Sequence, residues 1–118
     1  MNELRDQIQN VIATEDVVFF MKGTPHLVMC GNSQRALDAL RRAGAPVTTV
    51  DILPDPRIRQ ELSALSGWPT IPQVFVRGEL IGGADIVEEL ERNGALEQTL
   101  REKLGDEFSS EERVVAVA

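Results

Sequence analysis

The chain of 118 residues has a single cysteine, Cys30, one histidine, one tryptophan and no tyrosine. A single cysteine excludes an intramolecular disulfide, and it excludes a metal site built from several cysteines of one chain. Such sparing use of cysteine is typical of a reducing compartment, so we expect the cytoplasm. The opening residues lack an apolar stretch, and we therefore expect no secretory signal or transit peptide in the chain as given.

Basic residues are also scarce. Twelve Lys and Arg residues face nineteen Asp and Glu residues, which leaves a net charge of −7. Because a nucleic-acid-binding protein needs a basic face to neutralise phosphates, we expect no nucleic-acid partner. The apolar runs are of strand length and fall far short of the roughly 20 residues that span a bilayer, so we expect no membrane association.

The spacing of apolar residues predicts helices and strands in the order α-β-α-β-α-β-β-α. The continuous apolar run 17–21 predicts a central strand that is buried on both faces. A helical crossover to the next strand favours parallel pairing, and a turn at 77–79 favours an antiparallel hairpin. We therefore predict an α/β/α sandwich with a four-stranded mixed sheet. Residues 1–104 form the domain, and 105–118 form an acidic, flexible tail.

Cys30 follows the predicted central strand and directly precedes a helix that begins near Gly31. The free N–H groups of the first helical turn and the helix dipole favour a thiolate there, the form that attacks disulfides and binds soft metals. Ser33 stands where a C-x-x-C motif would supply a second sulfur. The sulfur chemistry must therefore be completed by a second molecule. The alternative, a buried structural cysteine, fits this placement poorly.

Four motifs occur in register with these elements: Met21-Lys22-Gly23-Thr24-Pro25, Cys30-Gly31-x-Ser33, Trp68-Pro69-Thr70-x-Pro72-Gln73 and Gly82-Gly83-x-Asp85. Together they resemble the monothiol glutaredoxins, the Cys-Gly-Phe-Ser class within the thioredoxin fold. The likeness runs from about residue 3 to residue 104. It implies a thioredoxin-like (glutaredoxin) sandwich that binds glutathione.

The resemblance further implies a [2Fe-2S] cluster held between two protomers, with one cysteine and one glutathione thiol from each side as ligands. Such proteins are carriers in iron–sulfur cluster assembly and iron homeostasis. They act as cluster-bridged homodimers or with a BolA-type protein, and they deliver to iron–sulfur client proteins. Cys30 is then both the reactive residue and the iron ligand.

The residues that the resemblance assigns to glutathione are Lys22, Arg59, Ile71, Ala84 and Asp85. Lys22 and Arg59 would bind its carboxylates, and Ile71, before an expected cis Pro72, would pair with its cysteinyl backbone. Ala84 and Asp85 would bind its γ-glutamyl end. Without the resemblance, Lys22 and Arg59 are equally explained as solvated surface residues.

Two positions depart from the family pattern. Asn32 replaces the phenylalanine of Cys-Gly-Phe-Ser with a small polar residue. Val28 replaces the usual proline two residues before the cysteine, and we therefore expect a less rigid, more apolar loop over 24–29. His26 in that loop is expected to be solvated.

Two other functions stay open. One is an enzyme, a glutathione-dependent thiol–disulfide oxidoreductase that removes glutathione from proteins through Cys30. The other is a thioredoxin-fold adaptor with a vestigial site. Whether the protein is an enzyme is therefore undecided from sequence, with a carrier as the favoured function.

Overall fold

The computed structural model describes residues 2–117; Met1 and Ala118, the end residues of the predicted domain and tail, lie outside the described residues. Within that range the elements in chain order are α1 (Glu3–Thr14), β1 (Val17–Met21), β2 (Gly23–Thr24), β3 (Leu27–Val28), α2 (Gly31–Arg42), β4 (Val47–Asp51), α3 (Pro56–Ser66), β5 (Gln73–Val76), β6 (Glu79–Gly82), α4 (Ala84–Arg92), α5 (Ala95–Leu104) and β7 (Glu112–Val114).

The main sheet has the strand order β6-β5-β1-β4-β7. β1 pairs in parallel with β4 and antiparallel with β5, and β5 pairs antiparallel with β6. These pairings confirm the predicted α/β sandwich and its mixed sheet. The predicted number of strands is wrong, because the described residues form a sheet of five strands and not of four.

The central strand β1 is buried on both faces, as predicted, because its side chains alternate between two cores. Phe19 and Met21 pack with α2, α4 and α5 on one face of the sheet. Phe20 packs on the other face with α1 and α3, and its ring meets that of Phe75 edge to face at 5.8 Å between centroids. The end of β1 is therefore a rigid base for the residues that follow it.

The fifth strand, β7, comes from the segment in which the sequence predicted no strand. It runs parallel to β4, and Arg41 donates two hydrogen bonds of 2.8 Å to the Glu112 carboxylate. The Val115 N–H donates to Thr49 O at 2.9 Å, and Val117 is buried. Residues 112–114 are themselves exposed, so the strand depends on pairing with the edge of β4 and leaves no apolar pattern to detect. The division of the chain at residue 104 stays a prediction.

The predicted loop at 24–29 contains a short hairpin of β2 and β3. Gly23 begins it with φ +96°, and a Cβ at this position would lie 2.3 Å from Leu27 O, so only glycine fits. Val28 packs against the core and therefore anchors the second strand.

The helix ends follow the sequence signals. The Asp55 side chain caps α3 by accepting from Arg57 N–H, and Gly67 ends it with φ +72°. The break at Asn93–Gly94 separates α4 from α5. Among the described residues no helix is both long and apolar enough to cross a bilayer.

Candidate functional site

Cys30 is the N-cap residue of α2 and is partly exposed. The nearby Ser33 backbone N–H at the start of α2 is the main cause that lowers the pKa of the Cys30 thiol below its usual value. Partial burial opposes this shift, whereas the Asn32 N–H, the Ser33 hydroxyl and the Lys22 charge add to it. The helix end therefore favours the thiolate, as its position in the sequence predicted.

Ser33 lies under the cysteine and is fully buried. Its Oγ accepts a hydrogen bond of 3.1 Å from the Lys22 backbone N–H, and its hydroxyl contributes to the lowered pKa of Cys30. The sequence identified Ser33 only as the position of a missing sulfur. In the structure it is also a hydrogen-bonding residue that joins the end of β1 to the first turn of α2.

Two grooves lie on either side of the segment 68–72. The first, which we call the Lys22 groove, has a volume of about 750 Å³ and is lined by Lys22, Ile52, Leu53, Pro56, Arg59, Gln60, Ser63 and Pro69. Lys22 and Arg59 bring two positive charges to it, and Arg59 also donates to Pro69 O at 3.4 Å. Ser63 Oγ is buried without a hydrogen-bond partner among the described residues. The groove therefore suits a carboxylate-bearing ligand.

The second groove, which we call the Asp85 groove, has a volume of about 430 Å³ and is lined by Asn32, Trp68, Thr70, Ile71, Pro72, Gly83, Ala84, Asp85 and Ile86. It contains the first turn of α4, where Gly83 as N-cap residue gives no side-chain hydrogen bond to the helix. The free N–H groups of this turn favour an anionic ligand group. Ile86, an exposed residue, lines the groove.

The wall between the grooves is held by Gln73, a buried residue whose Nε2 donates to Trp68 O at 2.9 Å and to Thr70 O at 3.2 Å. The Ile71–Pro72 peptide bond in this wall is cis, as the resemblance implied. Sequence reasoning missed the role of Gln73, although a polar residue that directly follows a proline-rich segment is well placed to hydrogen-bond with the backbone there.

The residues predicted from the sequence fall into these two places. Lys22 and Arg59 share one groove, whereas Ile71, Ala84 and Asp85 share the other. Cys30 lines neither, but its neighbours Lys22 and Asn32 each line one. His26 is exposed, as expected. The ligand roles of these residues stay predictions.

Metal ligands are few at this site. No group of three or more His, Cys, Asp or Glu side chains among residues 2–117 has the geometry to hold a metal ion. The one thiolate ligand among the described residues is the Cys30 sulfur, whose lowered pKa suits it to bind iron. One chain therefore offers a single ligand to an iron–sulfur cluster, which needs four. The donor set fits such a cluster only when a second chain and further thiols contribute.

Comparison with known proteins places this architecture in a family. A glutaredoxin family model matches residues 17–81. Glutaredoxin 4 of Escherichia coli K12 is 43% identical over 112 residues, covering 95% of this chain and 96% of the relative. Monothiol glutaredoxin-S11 of rice is 46% identical over 99 residues, which are 84% of this chain and 20% of that longer relative.

Solved glutaredoxin structures resemble the fold of this chain. The solution structure of reduced apo GrxS14 from poplar superposes with a TM-score of 0.75 at 37% identity, covering 86% of this chain and 93% of that one. The crystal structure of a buckwheat glutaredoxin–glutathione complex gives a TM-score of 0.74 at 28% identity, covering 86% and 91%. With one cysteine at the start of α2 and Ser33 three residues later, this chain belongs to the monothiol glutaredoxin family.

Proposed function

We propose that this protein binds glutathione across its two grooves and uses Cys30, with the glutathione thiol, to carry a [2Fe-2S] cluster between two protomers. The observation that carries the proposal is the placement of Cys30. Its stabilised thiolate stands at the start of α2, without a second protein thiol, beside two grooves with complementary groups for a small anionic peptide.

The Lys22 groove suits the glycine carboxylate of glutathione because Lys22 and Arg59 supply positive charge there. The Asp85 groove suits the γ-glutamyl end, because the first turn of α4 offers N–H groups and Asp85 offers a carboxylate. Ile71, in the wall between the grooves, is proposed to pair through its backbone with the cysteinyl residue. This arrangement would bring the glutathione sulfur next to Cys30. The buckwheat relative solved as a glutathione complex supports it.

The surface beside Cys30 suits a protein partner. Leu27 and Met29 have 68% and 59% of their surface exposed, which places two large apolar side chains next to the thiolate. We propose that a second copy covers this surface in a cluster-bridged homodimer, and that a BolA-type protein or an iron–sulfur client protein replaces that copy during transfer. The cytoplasm is the proposed compartment, because a free thiolate requires reducing conditions.

The experiment is anaerobic reconstitution of the purified protein with iron, sulfide and a thiol reductant, with and without glutathione. We expect a brown protein with visible absorption bands, and dimers by size-exclusion chromatography, only when glutathione is present. A colourless monomer in both samples would contradict the proposal.

A second function, glutathione-dependent oxidoreduction, is favoured by the lowered pKa of Cys30. The Cys30 thiolate would attack the glutathione sulfur of a protein–glutathione mixed disulfide and release the client thiolate. A second glutathione thiolate would then attack the Cys30–glutathione disulfide, releasing oxidised glutathione and regenerating the Cys30 thiolate. Turnover of such a mixed disulfide by colourless protein, at rates typical of dithiol glutaredoxins, would favour this function over the carrier.

A further inference from the structure

Arg35, on the second turn of α2, connects the cysteine-bearing helix to the Asp85 groove. Its Nη2 donates to Asp85 Oδ1 at 2.8 Å, and its Nη1 donates to Asn32 Oδ1 at 3.0 Å. Its Nε donates to Glu88 Oε2 at 3.1 Å on the next turn of α4. Asn32 and Asp85 both line the groove. The guanidinium therefore hydrogen-bonds to two residues that line the groove, one on α2 and one on α4.

The Arg35–Asp85 pair still has capacity for a ligand. The second Nη1 hydrogen of Arg35 and the Oδ2 atom of Asp85 have no partner within residues 2–117, and 90% of the Asp85 side chain is exposed. Glu88 holds the guanidinium through two further bonds, so Arg35 keeps its orientation when a ligand approaches. The pair thus presents one free cationic donor and one free anionic acceptor side by side.

We propose that Arg35 is a specificity-determining residue that recognises the free amino-acid end of a γ-glutamyl ligand. The ligand's α-carboxylate accepts from Arg35 Nη1, and its α-ammonium donates to Asp85 Oδ2. This inference rests on the proposed binding of glutathione and names the group that selects it. An adjacent pair of opposite charges is complementary to a zwitterion, whereas a ligand that ends in a neutral amide would leave one charge unmatched.

Asn32 contributes to the same proposed recognition site. Its Oδ1 accepts a hydrogen bond from Arg35 Nη1. The phenylalanine of the family motif has no polar side-chain atom and could not make this contact. The neutral amide bond is also weaker than a bond to a carboxylate, so a ligand carboxylate can share or replace it.

The test is an NMR titration of the whole protein without a cluster. The probes are S-methylglutathione, which cannot form a disulfide, its analogue with the glutamyl α-carboxylate converted to an amide, and S-methyl-cysteinylglycine, which lacks the glutamyl group. The indole N–H of Trp68 and the backbone N–H of Ala84 report on the Asp85 groove. The variants are Arg35→Gln and, as a matched control, Arg42→Gln, which removes a surface charge paired with Glu91 on the same two helices.

We expect Arg35→Gln to weaken S-methylglutathione binding about three- to tenfold, as for a partly exposed charge-assisted bond, and to leave S-methyl-cysteinylglycine unchanged. The amide analogue should bind wild type and Arg35→Gln equally weakly, and Arg42→Gln should behave as wild type.

If Arg35→Gln weakens all three ligands equally, Arg35 is only a structural link between α2 and α4, and the proposal is wrong. It is also wrong if the variant weakens none of them. If wild type binds none of the three at millimolar concentration, the proposed glutathione function fails together with this inference.

Discussion

Ser33 Oγ accepts the Lys22 backbone N–H at 3.1 Å, so the serine that stands in place of a second thiol joins the end of the central strand to the helix that carries Cys30. The same hydroxyl helps to lower the pKa of the cysteine. Strand, helix and thiolate are therefore coupled through one buried side chain.

Ser33→Ala should raise the pKa of Cys30. The larger contribution, from the Ser33 backbone N–H, survives the substitution, so the pKa should stay below that of an ordinary thiol. The pH dependence of Cys30 alkylation by iodoacetamide measures this, and the midpoint should move to higher pH. Gln34→Ala, which changes the next residue on the helix, is the control and should leave the midpoint where it is. An unchanged midpoint in Ser33→Ala would show that the hydroxyl does not act on the thiolate.

Cys30→Ser should abolish cluster binding and leave the fold intact. The swap is nearly isosteric, but a hydroxyl is a poor ligand for iron. Because Cys30 is partly exposed and packs no core, we expect the free energy of unfolding to change by less than about 1 kcal/mol. Urea unfolding and the visible spectrum after anaerobic reconstitution are the two measurements. A wild-type spectrum in the variant would contradict the assignment of Cys30 as the iron ligand.

Lys22→Ala and Arg59→Ala should each loosen the cluster, although neither residue is proposed to touch iron. Non-covalently held glutathione supplies half of the proposed ligands, so weaker anchoring lowers its occupancy. A charge-assisted bond contributes on the order of 1–3 kcal/mol, and solvent exposure keeps the contribution near the lower end, which corresponds to about a five- to tenfold rise in the glutathione needed.

The measurement is cluster content against glutathione concentration. Excess glutathione should rescue both variants and should not rescue Cys30→Ser. Arg57→Ala is the matched control, because Arg57 lies on the same helix but pairs with Asp55 outside the groove. If Arg57→Ala has the same effect as Arg59→Ala, general charge and not a specific anchor explains the result.

Glu112→Gln should weaken the attachment of β7 at neutral pH only. The Arg41 guanidinium lowers the pKa of Glu112, so the pair stabilises the fold above the unfolded carboxyl pKa of about 4.3 and loses that effect as the pH falls through the lower, folded value. Both side chains are about a third exposed, so we expect the substitution to lower the free energy of unfolding by only about 0.5–1 kcal/mol.

Urea unfolding at pH 7 and near pH 3 checks this, with Glu107→Gln as control, because Glu107 is exposed and has no ion pair among the described residues. The difference in the free energy of unfolding between wild type and Glu112→Gln should be smaller at the acid pH. A difference of equal size at both pH values would mean that the ion pair does not hold the strand.

The sequence predicted what depends on local pattern. The strand Val17–Met21 follows from its continuous apolar run, and the ends of α3 follow from Asp55, Pro56 and Gly67. Strand β7 could not be predicted, because its three exposed residues are ordered by pairing with β4. The hydrogen bonds of Arg35 to Asp85 and Glu88 could not be predicted either, because these residues lie 50 and 53 positions from Arg35 along the chain. Helical spacing places Ile86 with the inward residues of α4, but the structure leaves it exposed, where it lines the Asp85 groove.

The central claim is that glutathione is a ligand and not merely a reductant. Its most direct test is chemical analysis of anaerobically reconstituted protein after gel filtration. The account predicts that glutathione elutes with the dimer in equal amount to the protein chain, together with half a [2Fe-2S] cluster per chain, and that both are lost together when glutathione is removed. A brown dimer that contains iron and sulfide but no bound glutathione would contradict the account.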